Sequence, residues 1–287
     1  MHHSVFSRFR PISTCCPPGF QADSFVGSRI RRELLFDQYP AVDEEYLEWL
    51  DLLESVDAAK ERYVIAELGA GYGRWAVRAA KACEQRQVPY HLICVEAEPQ
   101  HYAWLNEHLL DNNIMPKKHT LIQRAVTDAT GNVVQFYVQF KGFTPDEWYG
   151  QSVNTDRATG DDGGYYCGLP VRKHLEGKGS IMVRTISIAD AIAGVDHVDL
   201  IDCDIQGLEF DAIRDSIAAI NSKVRRMHIA THSVEIEAAL RGLLIAHGWS
   251  LRADYSIGTT ADTPWGRIAF KDGVQSWANS YLLPSLG

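Results

Sequence analysis

With 287 residues, 46% of them hydrophobic, the chain is long enough for one large domain with additions and ordinary in apolar content. A net charge of −9 argues against a general nucleic-acid or anionic-membrane surface, and no apolar run reaches the roughly 18 residues that span a bilayer. Met1-His-His-Ser-Val-Phe-Ser-Arg8 has no apolar signal core, which predicts a cytoplasmic protein.

Residues 1–40 carry Pro11, Pro17, Pro18 and Pro40 and read as an irregular arm that packs on the domain or covers a cleft. Its Arg29-Ile-Arg-Arg32 cluster reads as a solvated face. The adjacent Cys15 and Cys16 have no second pair at metal-site spacing, and Cys94 and Cys203 fall in buried strands. All six cysteines, with Cys83 and Cys167, are therefore expected as reduced thiols. Asp43 reads as an N-cap for helix 44–57, with Tyr46, Leu47, Leu50, Leu53 and Val56 on one face. Residues 1–59 thus form an N-terminal arm and helix, and 60–287 the main domain.

The run Tyr63, Val64, Ile65, Ala66 and Leu68 predicts a buried strand over 62–68, with Glu67 at its end. Gly69, Gly71 and Gly73 follow, then a helix over 73–86. Glycine lets the backbone approach a ligand closely, and a helix N-terminus points free N–H groups at an anion. A dinucleotide turn, Gly-x-Gly-x-x-Gly, needs a third glycine where this chain has Arg74. A Walker loop would need Gly-Lys-Ser/Thr, which is absent. The second strand, 91–97, closes on Glu96, and Pro99 opens a helix. An acidic side chain at that strand end accepts hydrogen bonds from ribose hydroxyls in nucleoside-binding α/β folds. A third strand is predicted over 119–126, then the turn Asp128–Gly131 and a strand over 133–138.

Residues 141–180 change character. Eight glycines accompany Phe143, Trp148, Tyr149, Tyr165 and Tyr166, with Asp156, Asp161 and Asp162 available to polar groups. The stretch is too long for a plain connection and reads as a lid or an acceptor-binding insertion. Beyond it come a strand over 181–187, a short helix over 188–194 and a strand in 197–203. Asp202 and Asp204 lie two apart and share a face if extended. Gly207 allows a turn into helix 208–220. Strand 225–230 leads to His232, with His228 four residues earlier and read as structural, and helix 233–247 follows. Trp249–Tyr255 and Gly266–Lys271 are expected to close the domain as an antiparallel hairpin. Alternation of strand and helix predicts an α/β fold with a doubly wound, mostly parallel sheet. Ligands then sit outside the carboxyl ends of the strands, where Glu67, Glu96, Asp202, Asp204 and His232 all fall.

The pattern Glu67-Leu-Gly-Ala-Gly-Tyr-Gly73 resembles motif I of class I S-adenosylmethionine (SAM)-dependent methyltransferases. Taken with Glu96-Ala-Glu-Pro99, Asp128-Ala-Thr-Gly131, Asp199-Leu-Ile-Asp-Cys-Asp-Ile-Gln-Gly-Leu-Glu209 and His232, residues 60–235 resemble the FkbM family of these enzymes. Two positions depart from the family pattern: Asp202 stands where Lys is usual, and Gln206 where Glu is usual. The resemblance implies a seven-stranded Rossmann-like sheet and O-methylation of a hydroxyl on a small metabolite, such as a sugar or polyketide in natural product biosynthesis. It implies SAM held by Glu67, Gly69, Ala70, Gly71, Tyr72, Glu96, Ala97 and Ala125. His232 would be the base, with Asp204 orienting it or binding the acceptor. Some relatives use a divalent cation, and Asp204 with Asp202 are the candidate Mg2+ ligands. The expected partner is a hydroxyl-bearing small molecule, with no nucleic acid and no membrane, and a homo-oligomer stays open. Two other readings stand beside this one. A nicotinamide-dependent oxidoreductase would share Glu96 but is opposed by Arg74. A non-catalytic SAM-binding partner would need neither His232 nor Asp204.

Overall fold

The computed structural model describes residues 4–10, 12–16, 31–34, 40–138, 151–154, 160, 163–174 and 179–283. In chain order its main elements begin with α1 (Tyr46–Ala58), β1 (Tyr63–Leu68), α2 (Arg74–Arg86), β2 (Tyr90–Val95) and α3 (Pro99–Asp111). Then come β3 (Thr120–Ile122), β4 (Ala125–Val126), β5 (Val133–Val138), β6 (Gly179–Ile186), α4 (Ile188–Ala191), β7 (Leu200–Cys203) and α5 (Glu209–Lys223). The last are β8 (Arg226–Thr231), α6 (Val234–Ala246), β9 (Trp249–Tyr255), β10 (Thr259–Thr263), β11 (Gly266–Phe270) and β12 (Gly273–Asn279).

Seven strands form one sheet in the order β9-β12-β8-β7-β1-β2-β3. Pairing is parallel from β8 through β3. Strand β12 runs antiparallel between β8 and β9. Every residue of β1 is buried, as an unbroken apolar run requires of a central strand covered on both faces. One face packs on α1, α2 and α3 through Leu53, Ala76 and Leu105. The other packs on α5 and α6 through Ile213 and Leu240. The chain runs outward from β1 to β3, then returns to β7 on the other side of β1. A crevice opens beyond the carboxyl ends of strands at such a reversal.

A second sheet stands against that crevice. Strands β5 and β6 pair antiparallel over six residue pairs. Arg172–Lys173 and Val153–Asn154 extend the sheet on either side. The stretch expected as one strand over 119–126 is divided between the two sheets. β3 closes the first, and β4 pairs in parallel with the end of β6. Gln123 and Arg124 make the crossing. The expected closing hairpin is also corrected. β9 pairs with β12 in the main sheet, whereas β11 pairs with β10 in a separate hairpin.

Helix α1 is clamped to α2. Arg74 and Arg78 both pair with Glu45. The Arg78 guanidinium lies 4.7 Å and 4.2 Å from the ring centroids of Trp49 and Trp75. Asp43 is not the N-cap: helix α1 begins after Glu45, whose N–H donates to Asp43 Oδ1 at 3.1 Å. The arm expected to be irregular contains an antiparallel pair, Ser13–Cys16 with Arg31–Leu34. Cys83, Cys94, Cys167 and Cys203 are free thiols. The insertion residues Phe143, Trp148, Tyr149, Asp156, Asp161 and Asp162 lie outside the described residues. No described helix is long and apolar enough to cross a membrane.

Candidate active site

A cleft of about 930 Å³, part of it open to solvent, lies at the carboxyl ends of β1, β2 and β7. All the expected donor-binding residues line it: Glu67, Gly69, Ala70, Gly71, Tyr72, Glu96, Ala97 and Ala125. Asp202 and Asp204 line it as well. Phe136, Gln151 and Val153 of the second sheet and its approach complete the far wall.

The glycine turn has left-handed backbone at Gly69, Gly71 and Gly73. At Gly69 the reason is contact: a Cβ there would lie 1.9 Å from the carbonyl oxygen of Asp204. The loop after β1 therefore seats directly on the backbone that follows β7.

The expected array of free N–H groups in this turn is not found. The N–H groups of Gly69 and Ala70 both donate to Val95 O, at 3.0 Å and 2.9 Å. Gly71 N–H donates to Glu96 Oε2 at 2.6 Å. At the start of α2 the N–H groups of Trp75 and Ala76 donate to the two oxygens of Glu67, at 3.0 Å and 2.9 Å. Glu67 thus supplies the acceptor at this helix N-terminus, in the place expected of a ligand. Burial pushes its carboxyl up to about 8, with Asp202 across the strand pair adding to the shift. Glu96 also accepts the N–H of Glu98 at 2.7 Å, and burial pushes it up to about 8.

Strand β7 ends at Cys203, so Asp204 lies beyond it, and the two carboxylates line the cleft with different partners. Asp202 is buried beside Glu48 of α1, with which it hydrogen-bonds. Burial first, and then Asp202, hold the Glu48 carboxyl well above its ordinary range. Asp204 is half exposed and turns toward His232, whose Nε2 is 3.4 Å from its Oδ1. His232 itself does not line the cleft; Asp204 stands between. Nδ1 of His232 pairs with Glu209 Oε1 at 2.8 Å. Burial alone would lower the imidazole pKa, but Glu209, then Asp204 and Asp272, outweigh it and raise the value. His228 is structural, with Nδ1 2.8 Å from Asp51 Oδ2, and Ser276 on the other oxygen of Asp51.

The expected pairing of Asp202 with Asp204 as metal ligands is not the group that the structure brings together. Among the described residues the group able to hold an ion is Asp204, Glu209 and His232, with one ligand atom from each within 4.8 Å of the others. Residues of the cleft and its flank that were missed include Glu48, Arg74 as a lining residue, His101 and Glu209. Burial pushes the His101 ring down to about 4, so it stands neutral in the cleft wall.

Fold and cleft together define a Rossmann-like α/β protein with its site at the topological switch between β1 and β7. The chain is similar to a protein of Jannaschia sp. (strain CCS1) named "Putative methyltransferase", with 28% identity over 218 residues, 72% of this chain and 69% of that one. This similarity supports methyl transfer as the chemistry. No family model matches the chain. Among solved structures it is similar to precorrin-6y C5,15-methyltransferase of Geobacter metallireducens GS-15, at TM-score 0.43 and 10% identity, over 91% of this chain and 96% of that one. It is also similar to the ribosomal protein L11 methylase of Lactobacillus delbrueckii subsp. bulgaricus, at TM-score 0.40 and 10% identity, over 81% and 79%. Neither of these two likenesses bears on what this chain acts on.

Proposed function

We propose that the chain is a SAM-dependent O-methyltransferase acting on a hydroxyl of a small metabolite, of the kind found in the FkbM family. The observation that carries this reading is the meeting of three features in one cleft: the glycine turn, Glu96 at the end of β2, and Asp204 leading to His232. SAM is a nucleoside with a diol at one end, a carboxylate and an ammonium at the other, and a sulfonium between. The residues present fit it. Glu96 keeps lone pairs beyond those its backbone donors use and takes the ribose hydroxyls. Ala97, Ala125, Val126 and Phe136 give an apolar wall for the adenine. Glu48, Glu67 and Asp202 place carboxyl groups where an ammonium is welcome. The turn N–H groups that would have met the donor carboxylate are already engaged. Arg74, whose Nε is buried without a hydrogen-bond partner, takes that role.

When bound, SAM supplies an activated methyl group and leaves neutral, so the protein's work is alignment and removal of the acceptor's proton. His232 is the group for the proton. Its Nδ1–H donates to Glu209, which leaves the lone pair on Nε2. Asp204 binds the acceptor hydroxyl at the cleft edge and hands its proton inward. A net charge of −9 favours a small acceptor over a nucleic acid.

Isothermal titration with SAM, S-adenosylhomocysteine and NAD tests the donor. Saturable binding of the first two, with none of NAD, is expected. Binding of NAD alone would overturn the reading. Transfer of labelled methyl from SAM to a panel of hydroxylated metabolites then tests the acceptor class.

A further inference from the structure

At the edge of the cleft, one group of side chains is left with buried polar atoms that no protein partner satisfies. The Glu209 side chain is fully buried at the start of α5. Its Oε1 accepts the N–H of Gly207 at 2.9 Å and faces His232 Nδ1 at 2.8 Å. Its Oε2 has no hydrogen-bond partner. Nε2 of His232 has none either, although it lies 3.4 Å from Asp204 Oδ1. A buried oxygen left unmatched costs about 1–3 kcal/mol, and more when charged. Here two such atoms sit beside a second carboxylate, with Asp272 adding negative potential. One divalent cation would satisfy all three groups together.

We propose that Asp204, Glu209 and His232 form a site for a first-row transition-metal dication, with Mn2+ preferred over Mg2+. The preference follows from the donor set. Mg2+ favours oxygen ligands and retained water, whereas an imidazole nitrogen suits Mn2+, Fe2+ or Zn2+. Three protein ligands leave coordination positions open. Asp204, 49% exposed and lining the cleft, puts those positions on the side where an acceptor enters. Resting on the O-methyltransferase reading, the ion's role is to bind the acceptor hydroxyl and lower its pKa. Nε2 would then be a ligand rather than the base, and the proton of the bound hydroxyl would leave to water at the exposed cleft edge. Asp202 is not among these three, and its carboxyl hydrogen-bonds Glu48 instead.

The test measures binding and needs no acceptor. Full-length protein is stripped with chelator, and free Mn2+ is followed by electron paramagnetic resonance during titration. Wild type is compared with Glu209→Gln, His232→Gln and Asp202→Asn, each checked for folding by circular dichroism. One Mn2+ per chain is expected, bound at least tenfold more tightly than Mg2+. Affinity should fall at least tenfold in the Glu209 and His232 variants and stay unchanged in Asp202→Asn. Absence of saturable Mn2+ binding, equal affinity for Mg2+, or loss only in Asp202→Asn would each overturn the site. If Glu209→Gln does not fold, His232→Gln carries the same decision. S-adenosylhomocysteine titrated into the same samples keeps the two proposals apart. Donor binding without Mn2+ sinks the metal site alone, and Mn2+ binding without donor sinks the donor reading alone.

Discussion

The two ends of the cleft are built on opposite terms. Around the glycine turn, the backbone donors of Gly69, Ala70, Gly71, Trp75 and Ala76 already have protein acceptors, and Glu67 and Glu96 are among them. At the other end, Glu209 Oε2 and His232 Nε2 are buried without partners. The first end has these backbone donors satisfied before any ligand arrives, with Arg74 Nε left unmet, so a ligand meets mostly rigid walls and pays little for ordering them. The second end is completed only by what it binds. On the proposed reading, rigidity suits the half that would hold the donor, and unmet polar capacity suits the half where bonds would change.

The sharpest way to break this contrast is at the contact that joins the two ends. Gly69→Ala drives a Cβ into the Asp204 carbonyl, at a residue with φ of 79°. Stability should fall by about 3 kcal/mol or more, with both ends losing function together. Urea denaturation checks it, and a variant as stable as wild type would disprove the contact. Next in size, His232→Ala should lower methyl transfer at least roughly a hundredfold while leaving donor affinity unchanged. Single-turnover rates set beside titration with S-adenosylhomocysteine decide this. Smaller is the effect of Glu96→Ala, which removes the acceptor of the Gly71 and Glu98 N–H groups. Donor affinity should drop about tenfold, and the transfer rate at saturating donor should hold.

A further effect is on pH. Burial raises the carboxyls of Glu67 and Glu96 from 4.5 to about 8 in the folded chain. Between those values the folded protein keeps protons that the unfolded chain has released, so stability falls as pH rises through this window. The melting temperature should drop by about 4 °C or more from pH 5 to pH 8. The slope should flatten in Glu67→Gln and Glu96→Gln; an unchanged slope in both would refute the burial of these groups.

The sheet core and the grouping of the glycine turn with Glu96 in one cleft were legible in the sequence, because their signals are local. An apolar run, a close set of glycines and an acid at the next strand end fall within a few dozen residues. Glu48 was not legible: it meets Asp202 only because α1 docks on α2, a contact between segments far apart in the chain. Glu209 was visible in the Asp-x-x-Gly-x-Glu pattern, yet an acid at the first turn of a helix reads equally as a dipole partner. β12 escaped because Gly273–Asn279 is buried at nearly every position while carrying Gln275, Ser276 and Asn279. Its polar side chains find internal partners, such as Asp51 for Ser276, that no hydropathy pattern reveals. The free-amide expectation at the turn failed for a physical reason: Glu67 lies close enough to answer the helix itself.

The hop from β3 to β4 takes two residues, Gln123 and Arg124. No slack exists there, so the second sheet is registered against the first by Ala125 and Val126 and held by β6. Its strands β5 and β6 behave as a cassette plugged into the cleft wall at a fixed height. A lineage that exchanged Gln151 or Val153, which lie between β5 and β6, would alter that wall of the cleft while the glycine turn stayed where it was.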